Sequence, residues 1–151
     1  MEMNEYIPSP IKWVADQVEL YEGSGGTEGT TLGSRHGAWE GLQVIIVTNR
    51  GWKTGVIRKT PLMQVKDGNT YILVGSQGGD PKHPLWYHNL KAEPHVTIRD
   101  GINVYSMKVS EVEDANERIR LWQIAVKAYP PYEDYQQKTD RKIPGFVARP
   151  S

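Results

Sequence analysis

Three glycine-bearing turns, each set between runs of β-forming residues, constrain this chain more than any other feature. They are Asn49-Arg50-Gly51-Trp52-Lys53-Thr54-Gly55, Asp67-Gly68-Asn69 and Asp100-Gly101. Such steps supply the positive φ that tight hairpins require, so each turn folds its flanking runs back on one another. Leu42 to Thr48 is nearly continuous in Val and Ile, the pattern of a strand buried on both faces. Val56 to Val65 follows, and Pro61 within it marks an edge or a bulge. Thr70 to Gly75, His95 to Arg99, Asn103 to Val112 and Ile143 to Arg149 complete the set.

Helices fill the remainder. Ser9 as N-cap and Pro10 at the first helical position predict a helix over 9–22, ended by Gly23-Ser24-Gly25-Gly26. Ile11, Val14, Val18 and Tyr21 recur at helical spacing, with Trp13 beside them. A short helix runs from Pro84 to about Lys91 and stops before Pro94. Asp114, with Glu117 three residues on, opens a third. That helix carries Ile119, Trp122, Ala125, Val126 and Tyr129 on one side and is broken by Pro130-Pro131. Tyr132 to Lys138 adds a last turn or two. Thr27 to Gly41 is glycine-rich, polar and unassigned. The fold class is therefore α+β, mainly β: an open or split β-barrel of mostly antiparallel strands with flanking helices. The glycine loop after Val74 lacks the spacing of a dinucleotide fingerprint, which argues against a Rossmann sheet.

Composition narrows the function. The 151 residues suit one domain, with 1–28 as an N-terminal helix and glycine-rich linker. Zero formal net charge gives no overall basic footprint for nucleic acid. The absence of cysteine removes disulfides, thiolate metal sites and a cysteine nucleophile. His36, His83, His88 and His95 form no metal-binding pattern, and no nucleophile elbow or carboxylate pair is present. No apolar run reaches bilayer length and no signal-peptide core opens the chain, so a cytoplasmic location is expected. If the chain is an enzyme, a cofactor supplies its reactivity.

Three constellations are candidates for carrying the chemistry. Gly75-Ser76-Gln77-Gly78-Gly79 leads through His83 into the helix at Pro84, with Trp86 and Tyr87 directly after. Bare N–H groups beside aromatic surface suit a planar ligand with an anionic part; a capped mobile loop is the plainer reading. Lys53, Thr54, Arg58 and Lys59, with Arg50, crowd one hairpin and suit phosphate or carboxylate, against the plainer reading of a solvated tip. Tyr129, Tyr132 and Tyr135, at i, i+3 and i+6, either wall a substrate pocket or form a packing stripe.

Four segments together resemble the deazaflavin (F420)-dependent nitroreductase and F420H2-dependent quinone reductase family. They are Gly51 to Leu62, Val74 to Gly79, His83 to Ala92, and Tyr129 to Gln136 with Thr139-Asp140-Arg141 and Ile143-Pro144. The resemblance covers roughly Gly29 to Pro150 and implies a split β-barrel that binds coenzyme F420, in an actinobacterial-type host. It implies hydride transfer to quinones, nitroimidazoles, or activated double bonds in unsaturated lactones and coumarin-like compounds. By the same resemblance Lys53, Thr54 and Arg58 hold the anionic tail, with Lys59 and Arg50 in support. Pro61, Leu62 and Met63 run beside the cofactor. Ser76, Gln77, Gly78 and Gly79 form the polar loop, and Pro84, Leu85, Trp86, Tyr87 and Asn89 complete the ring pocket. Tyr129, Tyr132 and Tyr135 border the substrate, with Tyr132 the first choice as proton donor and Ser76 stabilising negative charge. Trp52 and Gln77 stand where many members carry Arg and Lys.

Competing readings are an FMN-binding split-barrel oxidoreductase and a non-catalytic F420 carrier. The expected partner is a small-molecule substrate, with no nucleic acid and a monomer or homodimer. Attachment of the first helix to a membrane surface is the less favoured reading, because Glu2, Glu5, Asp16, Glu19 and Glu22 oppose anionic lipid.

Overall fold

A computed structural model describes residues 5–33, 37 and 39–151. Among these, seven strands form one sheet: β1 Val44–Arg50, β2 Ile57–Met63, β3 Lys66–Asp67, β4 Thr70–Val74, β5 His95–Asp100, β6 Asn103–Glu111 and β7 Gly145–Pro150. Helices α1 Lys12–Gly23, α2 Leu85–Ala92, α3 Ala115–Ala128 and α4 Pro131–Gln137 flank it. Every strand pair is antiparallel, in the order β2-β1-β5-β6-β7-β4-β3. The two ends of that order are one stretch of chain. β2 continues through Gln64, whose N–H donates to Gln43 O at 3.0 Å, and Val65, whose carbonyl accepts from Ile72 N at 2.9 Å. β2 also touches β4. The sheet is thus curled into a split barrel, and Pro61 sits in its edge strand as predicted.

Strand alternation sorts the side chains into layers. Ile45, Val47, Leu73, Ile98, Met107, Val109 and Phe146 share the barrel interior with Trp86 and Leu90 of α2. On the outer face, Val18 and Tyr21 of α1 cover Ile46. Leu121 and Ala125 of α3 and Tyr132 of α4 cover Ile72, Val74 and Val147. β1 is therefore buried on both faces, as its Val/Ile run requires. Each such large apolar side chain contributes about 1.5–3 kcal/mol.

α1 is fastened by polar contacts too. The Tyr21 hydroxyl donates to Val44 O and accepts from Gly101 N, both at 2.8 Å. Gly26, at φ +88, passes so close that a Cβ would lie 1.8 Å from Gly101 O. Glu22 pairs with both Lys59 and Arg99.

Two helices differ from expectation. α1 begins at Lys12, with Ile11 as N-cap, rather than at Ser9. Ser9 precedes Pro10 and is pushed out of helical backbone; its Oγ instead accepts from Ile11 N at 3.1 Å. In α3 the buried face centres on Leu121 and Ala125, and Ile119 is left exposed. Two residues are about 200° around a helix, so Ile119 and Leu121 cannot share a face. Asp114 caps α3 as expected, accepting from Glu117 N at 2.9 Å. Of the unassigned 27–41 stretch, Thr31 bridges to Gln43, and His36 lies outside the described residues. Among the described residues no helix is long and apolar enough to cross a membrane.

Candidate functional site

β4 delivers the chain to Gly75, whose N–H donates to Pro144 O at 2.9 Å. Ser76 follows in right-handed backbone (φ −73, ψ −40), then Gln77, Gly78 and Gly79 at φ 44, 63 and 82. Gln77 is the single non-glycine residue at positive φ among those described. A right-to-left-handed succession turns adjacent N–H groups to one side, the geometry of an anion-binding nest. The Gly79 and Asp80 N–H groups close the turn onto Ser76 O (2.9 Å) and Gln77 O (3.1 Å); among the described residues those of Gln77 and Gly78 have no backbone acceptor. Ser76 is 7% exposed, and its hydroxyl has no protein partner among the described residues. The Gln77 amide reaches Asp80 Oδ2 at 3.0 Å.

Two neighbours hold this loop. Gly79 lies on α4, where a Cβ would be 2.7 Å from Tyr135 O. Arg141 donates to the carbonyls of Gly75 (3.0 Å), Ser76 (2.7 Å) and Asp80 (2.8 Å), and its Nη1 meets His83 Nδ1 at 2.9 Å. Arg141 figured in the sequence only as part of a motif. Nothing local announces that an arginine will reach back more than sixty residues to a glycine loop.

α2 splits its predicted residues. Pro84 is buried and N-caps the helix. Leu85 is exposed. Trp86 is a core residue packed 5.9 Å from Phe146, not an open platform, because it points into the barrel. Tyr87 stacks on His83 at 4.3 Å and donates to Glu111 Oε1 at 3.2 Å; burial, then Glu111, pushes its phenol up. Asn89 is buried and its amide is spent on protein. Its Nδ2 donates to Asn49 Oδ1 at 2.8 Å and its Oδ1 accepts from Trp52 N at 2.9 Å. Asn89 therefore pins the β1–β2 turn to α2.

The basic hairpin divides likewise. Lys53 is exposed at the tip, with Nζ 4.8 Å from the Trp52 ring centroid, and the Trp52 ring lies 5.7 Å from His88. Thr54 is exposed, and its Oγ1 accepts from Val56 N at 3.3 Å. Arg58 and Leu62 pair with Asn49 and Ile45 on the interior face of β2, while Lys59, Pro61 and Met63 alternate to the other face. Leu62 packs on the interior core and Met63 on the α3–α4 core. Lys59 is withdrawn from the predicted tail site: it is taken up by Glu22 and the Tyr6 ring. Among the described residues neither Lys53 nor Arg58 has a carboxylate partner.

The three tyrosines do come together. Their ring centroids lie 5.0–6.3 Å apart, and the Tyr129 and Tyr135 hydroxyls are 3.1 Å from each other. Trp39 extends the cluster at 6.1 Å from Tyr129. Tyr132, the first choice as proton donor, is 5% exposed and packed beneath Trp122. Burial pushes its phenol far above the usual range. Tyr135 is the partly exposed member.

The model of the family described as F420H(2)-dependent quinone reductase matches residues 13–150. An F420H(2)-dependent quinone reductase of Mycobacterium tuberculosis is 39% identical over 105 residues, 68% of this chain and 70% of that protein. A solved structure described as an F420-H2 dependent reductase (FDR-A) is 47% identical with a TM-score of 0.66, covering 70% of this chain and 93% of the other. Another, described as a domain-swapped dimer, is 42% identical with a TM-score of 0.68, covering 93% of this chain and all of the other, 100%.

Proposed function

The chain belongs to the F420H(2)-dependent quinone reductase family, and on that premise we propose that it reduces quinones with F420 held between the Gly75–Gly79 loop and the β1–β2 hairpin tip. Family membership makes it an oxidoreductase and implies F420; it gives FMN no support. The observation that carries the reading is the run Ser76 to Gly79, where a largely buried serine, its hydroxyl without a protein partner, stands beside two N–H groups that have no backbone acceptor among the described residues. The loop N–H groups fit the polar edge of a deazaflavin, and Lys53 and Arg58, without carboxylate partners among the described residues, fit its anionic tail with Thr54 beside them. Leu62 and Tyr87, both packed against the interior core, are assigned to supply apolar surface with Pro84 and Leu85, whereas Pro61 and Met63 face the other side of β2.

When bound, the reduced deazaflavin supplies a hydride from ring carbon 5. The protein's part is to exclude water and to stabilise negative charge on the acceptor. Ser76 is assigned to that charge. Tyr135, hydrogen-bonded to Tyr129, is assigned to donate a hydrogen bond or a proton to the substrate; Tyr132 holds the other two in place. The aromatic wall of Trp39, Tyr129 and Tyr135 suits flat, electron-poor acceptors. The proposal therefore extends to nitroimidazoles and to unsaturated lactones and coumarin-like compounds. The relative described as a domain-swapped dimer supports a homodimer.

Titration with oxidised F420 and with FMN, followed by tryptophan fluorescence, tests the cofactor assignment. Trp52, half-exposed beside Lys53, is the reporter, and Trp52→Phe should remove most of the signal. Saturable F420 binding that weakens with salt supports the reading; preference for FMN contradicts it.

A further inference from the structure

We propose that Arg141 is the positioning residue that sets the glycine loop in its binding shape, and that His83 makes this hold sensitive to pH. The proposal rests on the assignment of that loop to the cofactor. In a trans peptide the C=O and N–H point opposite ways. Arg141 draws the carbonyls of Gly75 and Ser76 toward itself at 3.0 and 2.7 Å, so the N–H groups of Ser76 and Gln77 are turned to the other side. A third bond, to Asp80 O, fixes the far end of the turn. Only a guanidinium offers donors in a planar fork wide enough to take three carbonyls at once.

The arginine is itself held. Gln136 of α4 donates to Arg141 O at 2.8 Å and accepts from Ile143 N at 3.0 Å, which rigidifies the loop between α4 and β7. Arg141 has no carboxylate in ion-pair contact among the described residues, and the Asp80 carboxylate accepts from the Gln77 amide. Its donors are directed at the loop carbonyls.

His83 supplies the fourth contact. A guanidinium only donates, so His83 Nδ1 must accept and the ring is neutral, with its proton on Nε2. Protonation would set N–H against N–H. The groups around His83 lean the same way: Arg141 from the loop before β7, and His88 beside the stacked Tyr87 from α2. Glu111 of β6 opposes them, and Asp80 and Lys82 of its own loop carry opposite charges. Burial and then the Arg141 charge hold the imidazole below its usual range. The hold is thus complete above about pH 6.5 and is lost as pH falls through the lowered value.

The test uses the cofactor-free protein first. Amide hydrogen-exchange protection at Gly79 and Asp80, corrected for intrinsic rates, is measured from pH 7.5 downward in wild type, Arg141→Ala, Arg141→Lys and His83→Asn. F420 affinity is then titrated for each. Arg141→Ala is expected to lose protection at these two amides while Ile72 N–H keeps its own, and to weaken F420 binding about ten- to a hundredfold. Arg141→Lys should recover little, because one ammonium cannot serve three carbonyls. His83→Asn keeps an acceptor but cannot titrate, so the acid step in protection and affinity should vanish. Unchanged protection in Arg141→Ala, or a wild-type acid step in His83→Asn, overturns the proposal. If Arg141→Ala does not fold, the His83→Asn comparison decides alone. Wild type that shows the expected exchange behaviour but binds no F420 would sink the cofactor assignment and leave the loop latch standing.

Discussion

Lys53 and Lys59 lie on one hairpin and look alike in the sequence, yet they meet different partners. Lys53 stands at the exposed tip over Trp52, whereas Lys59 is held by Glu22 of α1. Lys53→Ala is expected to weaken F420 binding about threefold at low salt, with the difference shrinking as salt rises. Lys59→Ala should leave F420 affinity unchanged and lower stability, since it strips one of two cations from Glu22. Titration of both variants by fluorescence, beside their urea midpoints, separates the roles. The tyrosines divide in the same manner. Tyr135→Phe should slow quinone reduction by about tenfold or more, the lower end for a lost proton donor. Tyr132→Phe should stay within about twofold in rate, because its phenol is buried in packing rather than presented to substrate; steady-state kinetics on both checks this. Residue type was legible in these cases, and partner was not. Lysine, asparagine and tryptophan at Lys59, Asn89 and Trp86 suggested ligand contacts, but each is consumed by a neighbour far away in the chain.

At the scale of elements, local chemistry carried further. The turn at Asp100-Gly101 pairs β5 with β6, and Asp114 caps α3, both because their determinants sit within a few residues. The glycine loop was legible as a cradle but not in its fastening, which comes from Arg141 and from α4. Gly79 carries the tightest demand there. It combines φ +82 with a site where a Cβ would lie 2.7 Å from Tyr135 O. Gly79→Ala is expected to cost about 1–3 kcal/mol and to weaken F420 binding with it. Thermal unfolding and titration of that variant check the pair; a variant as stable as wild type would show that the loop can yield.

The whole molecule is a sheet whose two ends are a single bent strand, with the interior plugged by α2 and the outside covered by α1, α3 and α4. That closure was foreseeable in kind from hairpin-linked strands, but not in register, because the bend at Gln64 and Val65 depends on Gln43 and Ile72. It brings the end of β2, the start of the glycine loop and the tyrosine cluster of α4 into one neighbourhood, which no single segment of sequence displays. Acid acts on this assembly through Glu22. Burial raises its pKa, but the hydrogen bonds from Lys59 and Arg99 outweigh that and hold the carboxyl below its usual range. Its contribution is present above its unfolded value of about 4.5 and is lost as pH falls through the lower folded value. Acid titration of stability in Glu22→Gln against wild type should therefore show a shallower loss at low pH. F420-dependent quinone reduction is measured by mixing the protein with reduced F420 and a quinone and following return of the oxidised cofactor's absorbance. Saturable oxidation well above the protein-free rate, slowed in Tyr135→Phe, is expected; oxidation no faster than without protein would rule out F420-dependent quinone reduction by this chain.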